Sequence, residues 1–322
     1  MKAIVHHEYG SPDVLRYEET AKPVPGDGEV LIVVHAAAVN PLDWHFVRGS
    51  PYGFRFTTGL RKPKDPRLGM DVAGRIEAVG KAVKEWKPGD DVFGACRGAF
   101  ADYVCAAESA LAQKPADVTF EQAGSVAVAA FTAIQGLRDK GHVQPGQKVL
   151  INGAAGGVGT FAIQVARWLG AEVTGVCSTR NVAMVQSLGA HHVIDYTQQN
   201  FTEEEQRYDV IVDCIGNHSL SASRRVLSQR GIYVMVGSPS GRWVAPMDRA
   251  LNAVILSRFV SQTLTSIMAK STKADLNLIS ELLQSGKITP VIDRCYPLTE
   301  TADAIRYLEQ GHARGKVVIT VA

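Results

Sequence analysis

The feature that most constrains the fold is a glycine-rich turn near the middle of the chain, between an apolar segment and an amphipathic one. Residues 148–152 (KVLIN) contain the apolar run that a buried parallel strand needs. The turn that follows, GAAGGVG, places Ala154, Gly156 and Gly159 at the small-residue positions of a G-x-G-x-x-G pattern. An apolar stripe over residues 160–169 then predicts a helix. This context favours a dinucleotide-binding turn over a purely structural one.

A regular alternation of predicted strands and helices continues after this turn. Apolar, β-branched segments alternate with segments of helical periodicity, which predicts a doubly wound parallel sheet with the nucleotide at the carboxyl ends of its strands. The predicted strands are 148–152, 172–177, 192–194, 208–214 and 232–236, and the predicted helices are 160–169, 181–188 and 219–227. An Ala-rich segment, residues 120–137, precedes the turn and predicts a buried helical segment.

The two ends of the chain differ from this middle part in their pattern of predicted strands, helices and turns. Up to about residue 118, short strand-like segments are separated by Gly- and Pro-containing turns, which predicts a compact β-rich domain. After residue 261, the pattern predicts two amphipathic helices, 273–284 and 301–309, and a last strand at 316–321.

An irregular segment, residues 49–71, interrupts the first domain. It is rich in Pro and Gly and contains Tyr52, Phe54 and Phe56 close together. A long loop within a compact domain is usually functional or mobile, so the aromatic residues favour a pocket lid over a disordered surface loop.

The composition excludes several classes of protein. The net charge is +2 and no basic block is present, so we expect no nucleic-acid partner. No apolar run of about 18 residues suggests a membrane span, and the opening MKAIVHHEYG lacks the apolar region of a secretion signal. The five cysteines are odd in number and include no C-x-x-C pair, which suits a reducing compartment. We therefore predict a cytoplasmic, soluble enzyme without a membrane partner.

The end of the second predicted strand indicates which nicotinamide nucleotide is bound. NAD-binding proteins usually carry an acidic residue there, about 20 residues after the glycines. This chain instead has Ser178, Thr179 and Arg180, whose hydroxyls and guanidinium suit a 2′-phosphate. Ser178 or Thr179 could also cap the next helix, a role that is compatible with phosphate binding. We predict NADPH rather than NADH.

No metal site is predicted from the residues. Cys96 and Cys105 are too isolated for a four-cysteine site, and the nine histidines show no H-x₃-H or H-E-x-x-H spacing.

Several motifs, in order along the whole chain, resemble the zinc-independent quinone oxidoreductase branch of the medium-chain dehydrogenase/reductase family. They are residues 40–43 (NPLD), 69–74 (GMDVAG), 87–92 (KPGDDV), 132–133 (TA), 153–159 (GAAGGVG), 188–190 (LGA), 193–196 (VIDY) and 315–318 (GKVV). The resemblance implies an α/β fold class, a Rossmann doubly wound parallel sheet plus a GroES-like β-rich domain. It also implies a GroES-like domain of residues 1–120 with 262–322 and a Rossmann domain of residues 121–261.

The chain departs from the zinc alcohol dehydrogenases of the same family at the metal ligands. Those enzymes have Cys where Asn40 stands and His-Glu where Met70 and Asp71 stand, and they carry a four-cysteine lobe that this chain lacks. Without a Lewis acid, alkoxide oxidation loses its main charge stabilisation. The resemblance therefore implies hydride transfer from NADPH to a quinone or an α,β-unsaturated carbonyl, without zinc.

The resemblance also implies site residues and assembly. Ala155, Gly156, Gly157 and Val158 would meet the pyrophosphate, Ser178 and Arg180 the 2′-phosphate, Tyr196 the adenine and ribose, and Asn217 the nicotinamide ribose; His312, Ala313 and Arg314 would form a late cofactor-contacting turn. Tyr52 is the best candidate for a general acid, although it could simply line the pocket, and Asn40 and Thr132 are candidate polar groups near the nicotinamide. Relatives pair through their Rossmann sheets, so we expect a homodimer with residues 255–264 as a candidate edge strand.

Two other functions remain open at this point. The chain could be a catalytically idle NADPH-binding protein that acts as a sensor or interaction module. It could also be an alcohol dehydrogenase, against which the missing zinc ligands argue.

Overall fold

The structure is a computed structural model that describes residues 1–237 and 260–321. Contacts within the chain divide it into two compact units. The first unit comprises Met1–Val128 and Ser271–Ala322, and the second comprises Ala129–Lys270.

The strands are distributed over three sheets. Their bounds are β1 (Lys2–His6), β2 (Leu15–Glu19), β3 (Glu29–Val39), β4 (Asp71–Val79), β5 (Asp91–Ala95), β6 (Tyr103–Ala107), β7 (Leu111–Gln113), β8 (Lys148–Asn152), β9 (Glu172–Cys177), β10 (His192–Asp195), β11 (Tyr208–Asp213), β12 (Leu227–Met235), β13 (Thr263–Ser266), β14 (Ile292–Pro297) and β15 (Lys316–Thr320).

The described α-helices lie between these strands along the chain. Their bounds are α1 (Pro41–Arg48), α2 (Arg55–Thr58), α3 (Phe120–Ala123), α4 (Ala127–Ile134), α5 (Gly157–Trp168), α6 (Val182–Ser187), α7 (Leu220–Arg225), α8 (Lys273–Gln284) and α9 (Thr301–Glu309). Among the described helices, none is long and apolar enough to cross a membrane.

The first unit is built on a seven-stranded sheet in the order β14-β15-β3-β4-β5-β7, with β6 paired to β3. Most neighbours are antiparallel, and β14 runs parallel to β15. The long strand β3 is largely buried, and it contributes alternating residues to the hydrophobic core of this unit: Val30, Ile32, Val34, Ala37 and Val39. Helix α1 follows β3 directly: Asn40 and Asp43 form a capping box at its start, and Gly49 ends it in the left-handed conformation.

The second unit contains a six-stranded parallel sheet in the order β10-β9-β8-β11-β12-β13. Strand β8 lies in the middle of the sheet, and the chain proceeds outward from it in one direction and then in the other. This is the strand order of a Rossmann sheet, with its switch point between β8 and β11. The predicted α/β fold class, a Rossmann sheet plus a GroES-like β-rich domain, is confirmed.

Two segments differ from their sequence-based description. The Ala-rich residues 120–137 form not one helix but α3, α4 and a π-helical turn, Gln135–Lys140. The break lies at residues 124–126. At Gly124 a Cβ would stand 2.8 Å from the carbonyl oxygen of Ala36, so the close approach to β3 requires glycine there. The irregular segment 49–71 contains a 3₁₀ turn, Tyr52–Phe54, and the short helix α2.

The predicted edge strand 255–264 lies mostly outside the described residues. Among the described residues, the strand at this edge of the parallel sheet is β13, which pairs in parallel with β12.

Candidate functional site

The glycine turn joins β8 to α5 in a tightly folded conformation. Gly153 adopts a φ of +83°, which a residue with a side chain rarely adopts. The amide of Ala154 then donates to the carbonyl of Val176 in β9 at 3.0 Å, and that of Gly156 donates to the carbonyl of Gly153 at 3.1 Å. The turn is therefore fixed both to itself and to the neighbouring strand before the helix begins.

The glycines of the turn differ in whether packing within the chain requires them. A Cβ on Gly159 would lie 2.1 Å from the carbonyl oxygen of Gly153, so close packing of α5 on β8 requires glycine there. A Cβ on Gly156 would meet nothing closer than that same oxygen, at 3.4 Å. The fold therefore leaves room at Gly156. Gly156, Gly157 and Val158 are half-buried, whereas Ala154 and Ala155 are buried. The first amides of α5 have no intrahelical acceptor and can bind an anion.

The carboxyl end of β9 carries the residues predicted to select the nucleotide. Ser178 leads into a 3₁₀ turn, Thr179–Asn181, and its hydroxyl oxygen accepts from Asn181 Nδ2 at 3.2 Å. Arg180 is exposed in this turn. The side-chain oxygen of Asn181, Oδ1, is buried and has no hydrogen-bond partner among the described residues.

A carboxylate that the sequence reasoning did not connect with this turn stands at the end of β10. Asp195 accepts hydrogen bonds from the hydroxyls of Thr179 and Thr197 and from Gln198 Nε2. The hydrogen bond from Thr179, followed by those from Thr197 and Gln198, lowers the pKa of Asp195. Tyr196, the next residue, is 55% exposed. Asp195 thus fastens the ends of β9 and β10 together beside Tyr196.

The end of β11 carries Asn217 on an exposed turn. Its Oδ1 accepts from Asn152 Nδ2 at 3.0 Å, and Asn152 is the last residue of β8. Sequence reasoning selected Asn217 but missed Asn152 and its buried partner Asp213. A usable signal was present, because each is a polar residue that ends an otherwise apolar strand.

In the first unit, Asn40 belongs to a buried polar cluster. Asn40 Nδ2 donates to the Ala38 carbonyl at 3.2 Å and to Asp71 Oδ2 at 3.0 Å, and Asn40 Oδ1 accepts from Lys316 Nζ at 2.7 Å. Lys316 Nζ also pairs with Asp71 Oδ2 at 3.1 Å, and the Val128 amide donates to Asp71 Oδ1 at 2.7 Å. Because an ammonium can only donate, the cluster fixes the orientation of the Asn40 amide. Both amide hydrogens of Asn40 are engaged within the protein.

A second carboxylate lies beside this cluster. Asp43 is fully buried and accepts from the amides of Asn40, at 2.8 Å, and Gly69, at 3.1 Å. Burial raises the pKa of Asp43 to about 7, although these two hydrogen bonds oppose the shift. Asp43 thereby ties the start of α1 to the segment before β4.

The remaining predicted residues fall into both units. Tyr52 is 38% exposed, and the guanidinium of Arg55 lies 4.7 Å from the centre of its ring. Thr132 is buried in α4 of the second unit. His312, Ala313 and Arg314 form the turn between α9 and β15 in the first unit, and the Arg314 amide donates to Asp293 Oδ2 at 2.9 Å.

The structure thus collects the predicted residues into two sets. The set at the carboxyl ends of the parallel sheet comprises Ala155, Gly156, Gly157, Val158, Ser178, Arg180, Tyr196 and Asn217. The first unit holds Asn40, Tyr52, His312, Ala313 and Arg314. Over residues 1–237 and 260–321, no group of three or more His, Cys, Asp or Glu side chains is arranged to hold a metal ion.

Comparison with known proteins agrees with this architecture. Residues 26–116 match the alcohol dehydrogenase GroES-like domain, and residues 188–319 match a family described as zinc-binding dehydrogenase. Quinone oxidoreductase from Homo sapiens is 33% identical over 335 residues, covering 99% of this chain and 97% of that protein. The 2-methylene-furan-3-one reductase from Solanum lycopersicum is 33% identical over 338 residues, covering 99% of this chain and 79% of that protein.

A solved structure shows the same fold over the whole chain. The quinone oxidoreductase from Escherichia coli, complexed with NADPH, superimposes with a TM-score of 0.85 at 27% identity, covering 99% of this chain and 100% of that one. Sequence motifs, full-length relatives and fold agree, and the resemblance predicted from the sequence is confirmed. The chain belongs to the medium-chain dehydrogenase/reductase family of oxidoreductases, in its quinone oxidoreductase-like branch.

Proposed function

We propose that the protein is an NADPH-dependent oxidoreductase that reduces a quinone or an α,β-unsaturated carbonyl compound without zinc. The observation that carries this proposal is the glycine turn at the switch point of the parallel sheet. Its half-buried backbone, from Gly156 to Val158, opens onto the end of the sheet where dinucleotides bind in this fold.

The residues at this end of the sheet fit a dinucleotide. Packing within the chain does not require glycine at position 156, so its missing side chain suits an external group that approaches the backbone closely. The N-terminal amides of α5 suit a pyrophosphate. The buried Asn181 Oδ1 lacks a partner among the described residues, and a ribose hydroxyl is a donor that would satisfy it.

Ser178 and Arg180 support NADPH over NADH. A hydroxyl and a guanidinium at the end of β9 suit a 2′-phosphate, whose charge a free carboxylate would repel. The nearby Asp195 carboxylate accepts three side-chain hydrogen bonds from neighbouring residues. We assign it a structural role in holding the two strand ends together.

A nucleotide held at this end of the sheet would supply the hydride, and the side chains of this protein would orient the acceptor. For an enone, the hydride goes to the β-carbon and a proton to the α-carbon, and Tyr52 is the proposed proton donor. Asn40 can accept a further hydrogen bond at Oδ1 but has no hydrogen left to donate. We therefore propose that Asn40 supports the nicotinamide side of the site from within its buried network and does not donate to the ligand. Thr132 is a separate candidate polar group near the nicotinamide. Proximity and orientation are sufficient for an intrinsically reactive quinone.

The side chains at the positions that bind metal in zinc relatives support the proposal of zinc independence. Asn40 and Asp71 bind the Lys316 ammonium, and Met70 replaces a histidine. An internal cation bonded to both side chains opposes the binding of a divalent ion at the same oxygens.

A panel of quinones and enones, supplied with NADPH, NADH and chelator, tests the proposal. We expect steady loss of nicotinamide absorbance with at least one acceptor, faster with NADPH. An idle sensor would bind NADPH tightly without turnover on any acceptor. An alcohol dehydrogenase would oxidise primary alcohols and require zinc.

We further propose a cytoplasmic homodimer that takes small-molecule substrates and has neither a nucleic-acid nor a membrane partner. Among the described residues, β13 is the edge strand beyond β12 in the parallel sheet, and we propose this edge as the surface that meets a second copy. Sedimentation at micromolar concentration checks this assembly, and a monomer there would exclude it.

A further inference from the structure

Three polar side chains lie on three adjacent strands at the switch point of the parallel sheet. Asn152 ends β8, Asp213 ends β11 and is only 1% exposed, and Tyr233 lies in β12. Asn152 and Asp213 are direct partners in the ladder between β8 and β11. Asn152 Nδ2 donates to Asp213 Oδ1 at 2.8 Å, and the Tyr233 hydroxyl donates to Asp213 Oδ2. We call these three residues the switch-point network.

Asp213 also shapes the turn that follows its strand. Its Oδ1 accepts from the amides of Ile215, at 3.1 Å, and Gly216, at 2.8 Å. These contacts turn the chain back over the end of β11 and bring Asn217 next to Asn152. One carboxylate therefore connects three strands to the turn that carries Asn217.

The network fixes the orientation of the Asn217 amide. Asn152 directs one Nδ2 hydrogen at Asp213 and the other at Asn217 Oδ1, 3.0 Å away. Asp213 accepts from the amides of Ile215 and Gly216 and from the Tyr233 hydroxyl, so Asn152 must present its nitrogen to this carboxylate rather than its oxygen. Asn217 Oδ1 consequently faces Asn152, and its Nδ2 faces away from the network. Since Asn217 is exposed, this donor is available to a ligand.

We propose that Asn152, Asp213 and Tyr233 are positioning residues that hold the Asn217 amide as a hydrogen-bond donor to the ribose on the nicotinamide side of the dinucleotide. The inference rests on the proposed function, which assigns the nucleotide to this end of the sheet. A ribose hydroxyl oxygen is an acceptor of the kind that the outward Nδ2 requires. The switch point is the place where a Rossmann sheet receives its ligand.

Two ligands separate this role from a merely structural one. NADPH contains both halves of the dinucleotide, whereas adenosine 2′,5′-bisphosphate contains only the adenosine half. Asn217→Ala and Asn152→Ala should each weaken NADPH binding about tenfold in titrations, which corresponds to one lost hydrogen bond. Binding of the bisphosphate should change less than about twofold. Asn200→Ala, which removes an asparagine capping the turn Phe201–Glu203, is the matched control and should leave both ligands unaffected.

The double variant tests whether Asn152 acts through Asn217. We expect Asn152→Ala to add no further loss in the Asn217→Ala background, because only the pair makes the contact. Asn152→Ser covers the case in which Asn152→Ala does not fold, since a single hydroxyl can donate to Asp213 but cannot also orient Asn217. It should retain the thermal stability of the wild type and still bind NADPH about tenfold more weakly.

The outcomes are distinct. Equal losses for both ligands would reduce the network to a support of the sheet, and additive losses in the double variant would show that Asn152 does not act through Asn217. Wild-type protein that binds neither ligand would overturn the proposed function and this inference with it. Wild-type protein that binds both ligands but reduces no acceptor would overturn the proposed activity alone, and the variant comparison would still apply.

Discussion

The two units each bury a polar network, and the two networks differ in where they end. In the first unit, Asn40, Asp71 and Lys316 bond to one another and to the backbone, and all three side chains are buried. In the second unit, Asn152 and Asp213 are equally buried, but their chain of contacts reaches the exposed Asn217. The first network is closed to solvent, and the second is open at one end.

The difference indicates two kinds of contribution. A closed network that contains an ion pair stabilises the fold only while both charges remain, because a single buried charge is costly. In an open network, a buried residue can orient an exposed side chain that binds a ligand. We therefore expect substitutions in the closed network to change mainly the stability, and substitutions in the open one to change mainly cofactor binding.

The largest effect should come from breaking the ion pair of the closed network. Lys316→Met leaves Asp71 buried without its counter-charge and should lower the free energy of unfolding by about 3–5 kcal/mol. Adding Asp71→Asn removes the second charge, keeps an acceptor for the Val128 amide, and should restore much of the loss. Denaturant unfolding measures both.

The exposed pair of Arg75 and Asp91, on β4 and β5 of the same sheet, is the control for this prediction. Arg75→Met should cost less than about 1 kcal/mol. A loss of similar size for Lys316→Met and Arg75→Met would show that the buried network does not stabilise the fold as described.

His6 is a buried polar residue that contrasts with both networks, whose polar side chains are hydrogen-bonded. It is 1% exposed, and neither ring nitrogen has a hydrogen-bond partner among the described residues. Burial, as the main cause, lowers the pKa of His6 from 6.5 to about 4. Above pH 6.5 the ring is neutral in both states; between 6.5 and 4 only the unfolded chain gains the proton, so stability falls as the pH decreases through this window.

Across this window, the free energy of unfolding should fall by about 3 kcal/mol because of His6. His6→Leu should flatten the decline in unfolding free energy between pH 7 and pH 4, measured by denaturant titration at each pH. His7→Leu, at the exposed neighbouring position, is the control. An unchanged pH profile in His6→Leu would mean that His6 does not cause the acid sensitivity.

In the second unit, Arg180, which follows β9, should determine whether NADPH binds more tightly than NADH. Removing a charge-assisted contact of about 1.5–3 kcal/mol corresponds to a tenfold to hundredfold loss of affinity. Arg180→Ala should raise the dissociation constant for NADPH by about that factor and hardly change that for NADH, which has no 2′-phosphate. Titration of both nucleotides decides, and equal effects on the two would place the phosphate elsewhere.

Substitutions at the two glycines of the turn, Gly159 and Gly156, should separate an effect on packing from an effect on binding. Gly159→Ala forces a Cβ to within 2.1 Å of the Gly153 oxygen and should destabilise the protein by about 1–3 kcal/mol. Gly156→Ala meets that oxygen only at 3.4 Å, so the fold should tolerate it while NADPH binding weakens. Thermal unfolding and NADPH titration of each variant should therefore give opposite patterns, and the same pattern in both would contradict the separation.

The sequence predicted elements well where one local signal dominates. The strands Lys148–Asn152 and Glu172–Cys177 and the helices Lys273–Gln284 and Thr301–Glu309 have the bounds expected from periodicity and turn residues. The Ala-rich segment 120–137 is helical and largely buried, as expected, but its small residues give no periodic face that would reveal its division into α3 and α4.

The polar networks were not predictable in the same way. Lys316 and Asn40 are 276 residues apart in sequence, and their contact follows from the pairing of β15 with β3. The link from Asp195 to Thr179 likewise follows from the register between β9 and β10. Motif reasoning selects single residues such as Asn40 and Asn217, whereas the contacts that orient these side chains emerge only from the fold.

The central claim is direct hydride transfer from NADPH without zinc, and one kinetic isotope measurement tests it most directly. Chelator-treated protein would be mixed with its best quinone or enone acceptor and with NADPH deuterated at C4 on one face or the other. The account predicts turnover without added metal, slowed by deuterium on one face only. Turnover that requires zinc, or NADPH binding with no oxidation by any acceptor, would contradict it.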